Sequence, residues 1–219
     1  MTSPRKIISF SLWGDDKKYT IGALRNAELA SSIYPGWICR FYLGKSVPLD
    51  ISEELQEFSN SEIINMNEKG DWTGMFWRFL AADHLSDIVL SRDTDSRLNK
   101  REKAAVDEWL NSDKDFHIMR DHPYHATEIL GGMWGCRNGI LHGIANLIND
   151  YQKGDFWQVD QNFLKEKIYP LVRDKSIVHD EFFEKKPFPI KRKNREFVGE
   201  SYNHLEQRSA DHYLLVQNE

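Results

Sequence analysis

Apolar and polar positions along this chain switch repeatedly between the period of a strand and that of a helix. Lys6 to Trp13 (KIISFSLW) predicts a buried first strand, broken by Gly14-Asp15-Asp16. Thr20 is the expected cap of a helix through Ile33, with Ile21, Leu24, Ala27 and Ala30 at helical spacing and Pro35-Gly36 ending it. Trp37 to Leu43 predicts a second strand, and Asp50 with Glu53 a capping box that opens a short helix. Ile63-Ile64, Ile88 to Leu90, Phe116 to Met119 and Ile177-Val178 predict further strands. Met75 to His84, Glu102 to Leu110, Asn138 to Asn149 and Gln158 to Val172 predict helices. Over about the first hundred residues strands alternate with helices, the pattern of an α/β domain with a largely parallel sheet.

Composition narrows this picture. The chain has 219 residues, 40% hydrophobic and 29% charged, which is globular and gives enough length for one sizeable core. The net charge of −5 does not imply a nucleic-acid partner. Two cysteines, Cys39 and Cys136, make no disulfide framework. No apolar run is long enough to span a membrane and the N-terminus lacks a signal-like apolar core, so a cytoplasmic protein is expected. Lys185 to Arg195 holds six basic residues and two prolines and predicts an exposed strap.

Candidate chemistry begins after the fourth strand, at "LSRDTDSRL". Ligands of parallel α/β sheets bind beyond the carboxyl ends of strands. Asp93 and Asp95 sit at such an end, and in extended chain they would converge on one face with Thr94 turned away. Two like charges so close raise a pKa or require a cation, and oxygen ligands favour Mg²⁺ or Mn²⁺. The alternative is a solvated loop whose aspartates pair with Arg92 and Arg97. His179 follows another short apolar run and is a candidate third metal ligand. Asp121 and His122 in "MRDHPYH" are candidate hydrogen-bonding groups, and Trp134 is a candidate for stacking or for core packing.

Five segments come in one order: "MFWRFLAADH" with Arg78, "DIVLSRDTDSRL", "ILGGMWGCRNG", "VDQNFL" and "VHDEFFEKKPF". This set resembles metal-dependent, nucleotide-sugar-using glycosyltransferases of the GT-A fold. The motif order is most similar to family 8, and "SRDTDSR" is similar to bacterial and viral capsule-type transferases. The resemblance covers Lys6 to about Phe188. Phe188 stands where the family has tryptophan, and the glycine after the histidine is missing.

The resemblance implies a single Rossmann-like domain over 1–219, with a mostly parallel mixed sheet flanked by helices. Residues 1–98 would bind nucleotide, 99–184 would hold acceptor and catalytic groups, and 185–219 would form the basic strap and tail. It implies Mn²⁺ or Mg²⁺ held by Asp93, Asp95 and His179, and a UDP-sugar donor contacted by Ser11, Leu12, Trp13, Arg78, Asp93, Lys185 and Lys186. Asp160 and Gln161 would lie by the reacting carbon, with retention favoured. For inversion, Asp160 and Asp121 are the candidate general bases. The acceptor would be a glycan or lipid-linked glycan, contacted through His122 and Trp134, with peripheral membrane contact open to the strap. Two other functions fit less well. A sugar-phosphate nucleotidyltransferase would show a glycine-rich loop where this chain reads SLWGDDKKY. A non-catalytic nucleotide- or carbohydrate-binding module would not need the full set of acids.

Overall fold

The structure is a computed structural model; it describes residues 4–85, 87–152, 154, 156, 158–208 and 211–218. Its frame is one open, seven-stranded sheet. In chain order the elements are β1 (Lys6–Leu12), α1 (Lys17–Ile33), β2 (Ile38–Leu43), α2 (Leu49–Glu57), β3 (Ser61–Asn65), a 3₁₀ stretch Trp72–Asp83, and β4 (Ile88–Ser91). Then come α3 (Lys100–Leu110), β5 (Phe116–Arg120), β6 (Trp134–Cys136), α4 (Ile144–Asp150), α5 (Val159–Phe163), a π-helical turn Leu164–Ile168, α6 (Tyr169–Val172) and β7 (Ser176–Asp180).

The sheet order is β3-β2-β1-β4-β6-β5-β7, and only β6 runs against the others. β1 shows why both faces are covered: Ile7 packs to one side, and Ile8, Phe10 and Leu12 to the other. One core, around Phe76, Phe79, Trp134 and Phe163, lies under the 3₁₀ stretch, α4 and α5. The other, around Phe41, Tyr34 and Trp109, lies under α1, α2 and α3. Each such side chain stabilises the fold by about 1.5–3 kcal/mol through burial. A third cluster of Met119, Met133, Phe188 and Val198 seats the C-terminal segment against β5. Among the described residues no helix is long and apolar enough to cross a membrane.

Several boundaries differ from the sequence expectations, each for a local reason. Helix α1 starts at Lys17 because Asp16, not Thr20, is its cap; Asp16 Oδ1 accepts from Lys18 N at 2.8 Å. Helix α2 has Pro48 at its cap and no side-chain cap bond, so the expected capping box is absent. The helix expected over Asn138–Asn149 is regular only from Ile144, because Gly143 has φ of 89° and the residues before it form turns. Strand β6 was not expected, since three residues carry too little periodicity to read.

Candidate active site

β1 and the 3₁₀ stretch meet through hydroxyl groups at alternate positions of β1. Ser9 Oγ donates to the Arg78 carbonyl at 2.7 Å, and Ser11 Oγ accepts from Arg78 N at 2.9 Å. Arg78 is thereby fixed at both ends of its peptide unit and aimed along the carboxyl end of the sheet. Its guanidinium is buried and spans two acids, Asp93 Oδ1 at 2.9 Å and Asp160 Oδ2 at 2.8 Å. Asp160 lies in the first turn of α5, and the structure gives it Arg78 as its ion-pair partner.

Asp93 and Asp95 follow β4 in a turn, not in extended chain. Asp95 Oδ2 pairs with Lys18 Nζ at 2.6 Å. The turn is held from three sides. Asn26 Nδ2 donates to the Ser96 carbonyl at 2.9 Å, Arg97 Nη1 donates to the Thr94 carbonyl at 3.2 Å, and Tyr202 N donates to the Asp95 carbonyl at 2.8 Å. The alternative pairing with Arg92 and Arg97 is not what forms. Arg92 is fully buried on Glu102 Oε1 at 2.7 Å, and Arg97 binds Glu206 at 2.8 Å.

Opposite these acids runs Gly131-Gly132. A Cβ at Gly132 would come 2.0 Å from Asp93 Oδ2, and one at Gly131 would come 2.4 Å from both Arg78 Nη2 and Asp160 Oδ2. Only glycine lets the backbone approach this charged cluster so closely. Ser91 Oγ donates to the Gly131 carbonyl at 2.7 Å, which ties the pair to β4.

Together these groups open onto a cleft of about 590 Å³. Ser11, Leu12, Trp13, Arg78, Asp93, Asp95, Asp160 and Gln161 all line it, so eight of the sequence candidates come together here. The cleft also has walls that the sequence reading missed: Lys18, Tyr19, Trp72 and Met75 on one side, His125, Leu130, Met133 and Ser201 on another. Lys18 lies in the first turn of α1, ahead of the helix start expected at Thr20. Ser201 had no signal, because it arrives from the C-terminal segment.

The electrostatics follow from burial. Desolvation, then the charge of Asp93, raises the pKa of Asp95 against the pull of Lys18. Desolvation likewise raises Asp160, with Arg78 pulling it down and Asp93 pushing it up. Burial, with His122 nearby, pushes His125 down to about 3, so this imidazole is neutral at working pH. Its Nδ1 accepts from Asp121 N at 3.1 Å, which leaves the ring proton on Nε2.

Six expected site residues lie elsewhere, which corrects the sequence reading. His179 is on β7, three strand positions from β4, and its Nδ1 meets His117 Nε2 at 2.8 Å. With Lys185 and Lys186 it lines a separate, more open cavity of about 490 Å³ that shares no residue with the cleft. Lys186 pairs with Glu184 at 2.6 Å. Asp121 is fully buried and saturated: Arg101 Nε donates at 2.9 Å, Val198 N at 2.9 Å, and Arg192 donates as well. Burial raises its pKa against the pull of Arg101 and Arg192. His122 is buried, donates from Nε2 to the His212 carbonyl at 3.0 Å and packs on Phe197, so it fastens the C-terminal segment. Trp134 is core, stacked 5.5 Å from Phe116, and does not reach the cleft.

Among the described residues no group of three or more His, Cys, Asp or Glu is arranged to hold a metal ion. Asp93 and Asp95 fit a more open kind of site. Two carboxylates suit Mg²⁺ or Mn²⁺ when phosphate oxygens and water complete the shell.

An open, mixed sheet flanked by helices, with a cleft at the carboxyl ends of its first and fourth strands, resembles the fold of solved glycosyltransferases. Solved structures bear this out. The crystal structure of a glycosyltransferase involved in the glycosylation of the major capsid of PBCV-1 is similar over 83% of this chain and 84% of that one, at 17% identity and a TM-score of 0.51. Staphylococcus aureus TarS 1-349 is similar over 81% of this chain and 58% of its own, at 14% identity and a TM-score of 0.54. The mannosyltransferase PcManGT from Pyrobaculum calidifontis, solved with GDP-Man and Mn²⁺, is similar over 83% and 56%, at 12% identity and a TM-score of 0.54. The chain thus spans little more than half of the last two. No protein-family model and no curated protein matches it.

Proposed function

We propose that the chain is a glycosyltransferase, moving a sugar from a nucleotide diphosphate donor to a hydroxyl acceptor. The observation that carries the reading is the convergence of Asp93, Asp95, Asp160 and Arg78 on one cleft against a glycine pair. Structural relatives solved with GDP-Man and Mn²⁺, and with UDP in the glucosyl-3-phosphoglycerate synthase of Mycobacterium tuberculosis, support it. The cleft draws on residues from Ser11 to Ser201, which supports reading 1–219 as one working domain.

In this reading Trp13, Trp72 and Met75 give the flat apolar wall that a nucleoside needs. Asp93 and Asp95 hold a divalent cation, Mn²⁺ or Mg²⁺, which when bound supplies Lewis-acid neutralisation of the diphosphate leaving group. Arg78 holds Asp93 and Asp160 at fixed separation. Asp160 and Gln161 face the reacting sugar carbon. With retention, which the family-8 motif order favours, Asp160 stabilises positive charge on the sugar; with inversion it takes the acceptor proton. His125 offers an Nε2–H donor to a sugar or acceptor hydroxyl. The family-8 counterpart of the metal histidine would be His179, and its distance from the cleft weakens that part of the resemblance.

The test is release of free nucleotide from UDP-, GDP-, ADP- and dTDP-sugars, with Mn²⁺ or with EDTA, by wild type and Asp95→Ala. One donor class should be hydrolysed in a metal-dependent way, and Asp95→Ala should lose about 10²-fold or more. If no donor releases nucleotide while nucleotides still raise the melting temperature, the chain is a binding module instead.

A further inference from the structure

Asp95 already carries a counter-ion, and the way it is mounted suggests a purpose. Lys18 Nζ lies 2.6 Å from Asp95 Oδ2, with the lysine side chain 30% exposed. Its backbone is fixed: Lys18 N donates to the Asp16 cap at 2.8 Å. The helix behind it is fixed against the acidic turn. A Cβ at Gly22 would come 2.0 Å from the Thr94 carbonyl, and Asn26 both donates to the Ser96 carbonyl and accepts from Leu98 N. The stem of Lys18 is not fixed in this way. It runs along the open cleft, with its ammonium 5.1 Å from the Tyr19 ring.

The two cations of the site therefore differ in kind. Arg78 is buried and forks between two acids, so it cannot leave without abandoning both. Lys18 is a single hydrated charge on four flexible carbons, holding one carboxylate oxygen at a solvent-facing edge. It can swing away with no backbone change.

We propose that Lys18 is a built-in counter-ion that holds Asp95 until a divalent cation displaces it. The inference rests on the metal site proposed above and deepens it. A divalent cation and an ammonium cannot share one carboxylate at close range without strong repulsion. Entry of the cation sends Lys18 into the cleft, where the diphosphate of a donor would receive it. Metal and donor binding are thereby coupled: the lysine resists the metal alone and is compensated once phosphate arrives.

Mn²⁺ titration of the full chain without nucleotide, followed by electron paramagnetic resonance, tests this on wild type, Lys18→Met and Lys18→Arg. Lys18→Met should bind Mn²⁺ more tightly, by on the order of tenfold, and Lys18→Arg should stay near wild type. Lys18→Gln gives the same comparison if Lys18→Met does not fold. Equal or weaker binding by the neutral variant makes Lys18 an ordinary ion-pair partner and overturns the inference, leaving the metal site standing. No Mn²⁺ bound by any of the proteins, with UDP or GDP added as well as without, overturns both.

Discussion

At the scale of single residues, the candidate site turns on Arg78. The resemblance placed it on the donor; the serines of β1 fix its backbone, and its side chain is buried between two acids. Asp160 is also buried, so removing the guanidinium leaves a carboxylate without compensation. Arg78→Met should therefore lose about 3–5 kcal/mol in urea unfolding. The double variant Arg78→Met/Asp160→Asn should recover most of that loss. A loss that persists unchanged in the double variant would mean that Arg78 acts through packing and not through charge. Asp93 and Asp95 were legible because a carboxylate pair after an apolar strand has few structural uses, whereas Arg78 and Asp160 stood out only through the motif order. His125 was not, since nothing in "MRDHPYH" distinguishes its imidazole from that of His122. Which one faces the cleft depends on the C-terminal segment that covers the other.

At the scale of elements, strand existence was largely legible and strand order was not. β4 and β7 both end in candidate ligands, and the sequence reading brought them together. The intervening β6 and β5 separate them, and β6 is too short to announce itself. Trp134 illustrates the same point: inside an unrecognised strand, it is core. Helix α1 shows how a fold element supports chemistry, because Gly22 lets it press on the acidic turn. In an ordinary helix interior Gly→Ala gains about 1 kcal/mol. Here Gly22→Ala should instead lose about 1–3 kcal/mol by overpacking and weaken nucleotide binding by displacing Asp93 and Asp95. Thermal melting with calorimetry checks this. A more stable variant with unchanged binding would show that the turn does not depend on the helix.

At the scale of the whole molecule, the C-terminal segment is what the sequence described least well. It read as an exposed basic strap with lysines near phosphate. Lys185 to Arg195 is exposed as expected except at Phe188 and Arg192, but Arg192 and the Val198 N–H close on Asp121, Phe197 packs on His122, and Tyr202 and Glu206 grip the acidic turn. Those contacts join residues far apart in sequence, which no local pattern encodes. The basic residues thus divide, with Arg192 internal and Lys185 and Lys186 at the second cavity. This division makes the central claim testable in one measurement, the calorimetric titration of UDP and GDP in the presence of Mn²⁺. Wild type should bind at least one of them, Asp93→Ala should lose that binding, and Lys185→Ala/Lys186→Ala should keep it. Binding that survives Asp93→Ala but fails in the double lysine variant would move the nucleotide to the His179 cavity and contradict the account.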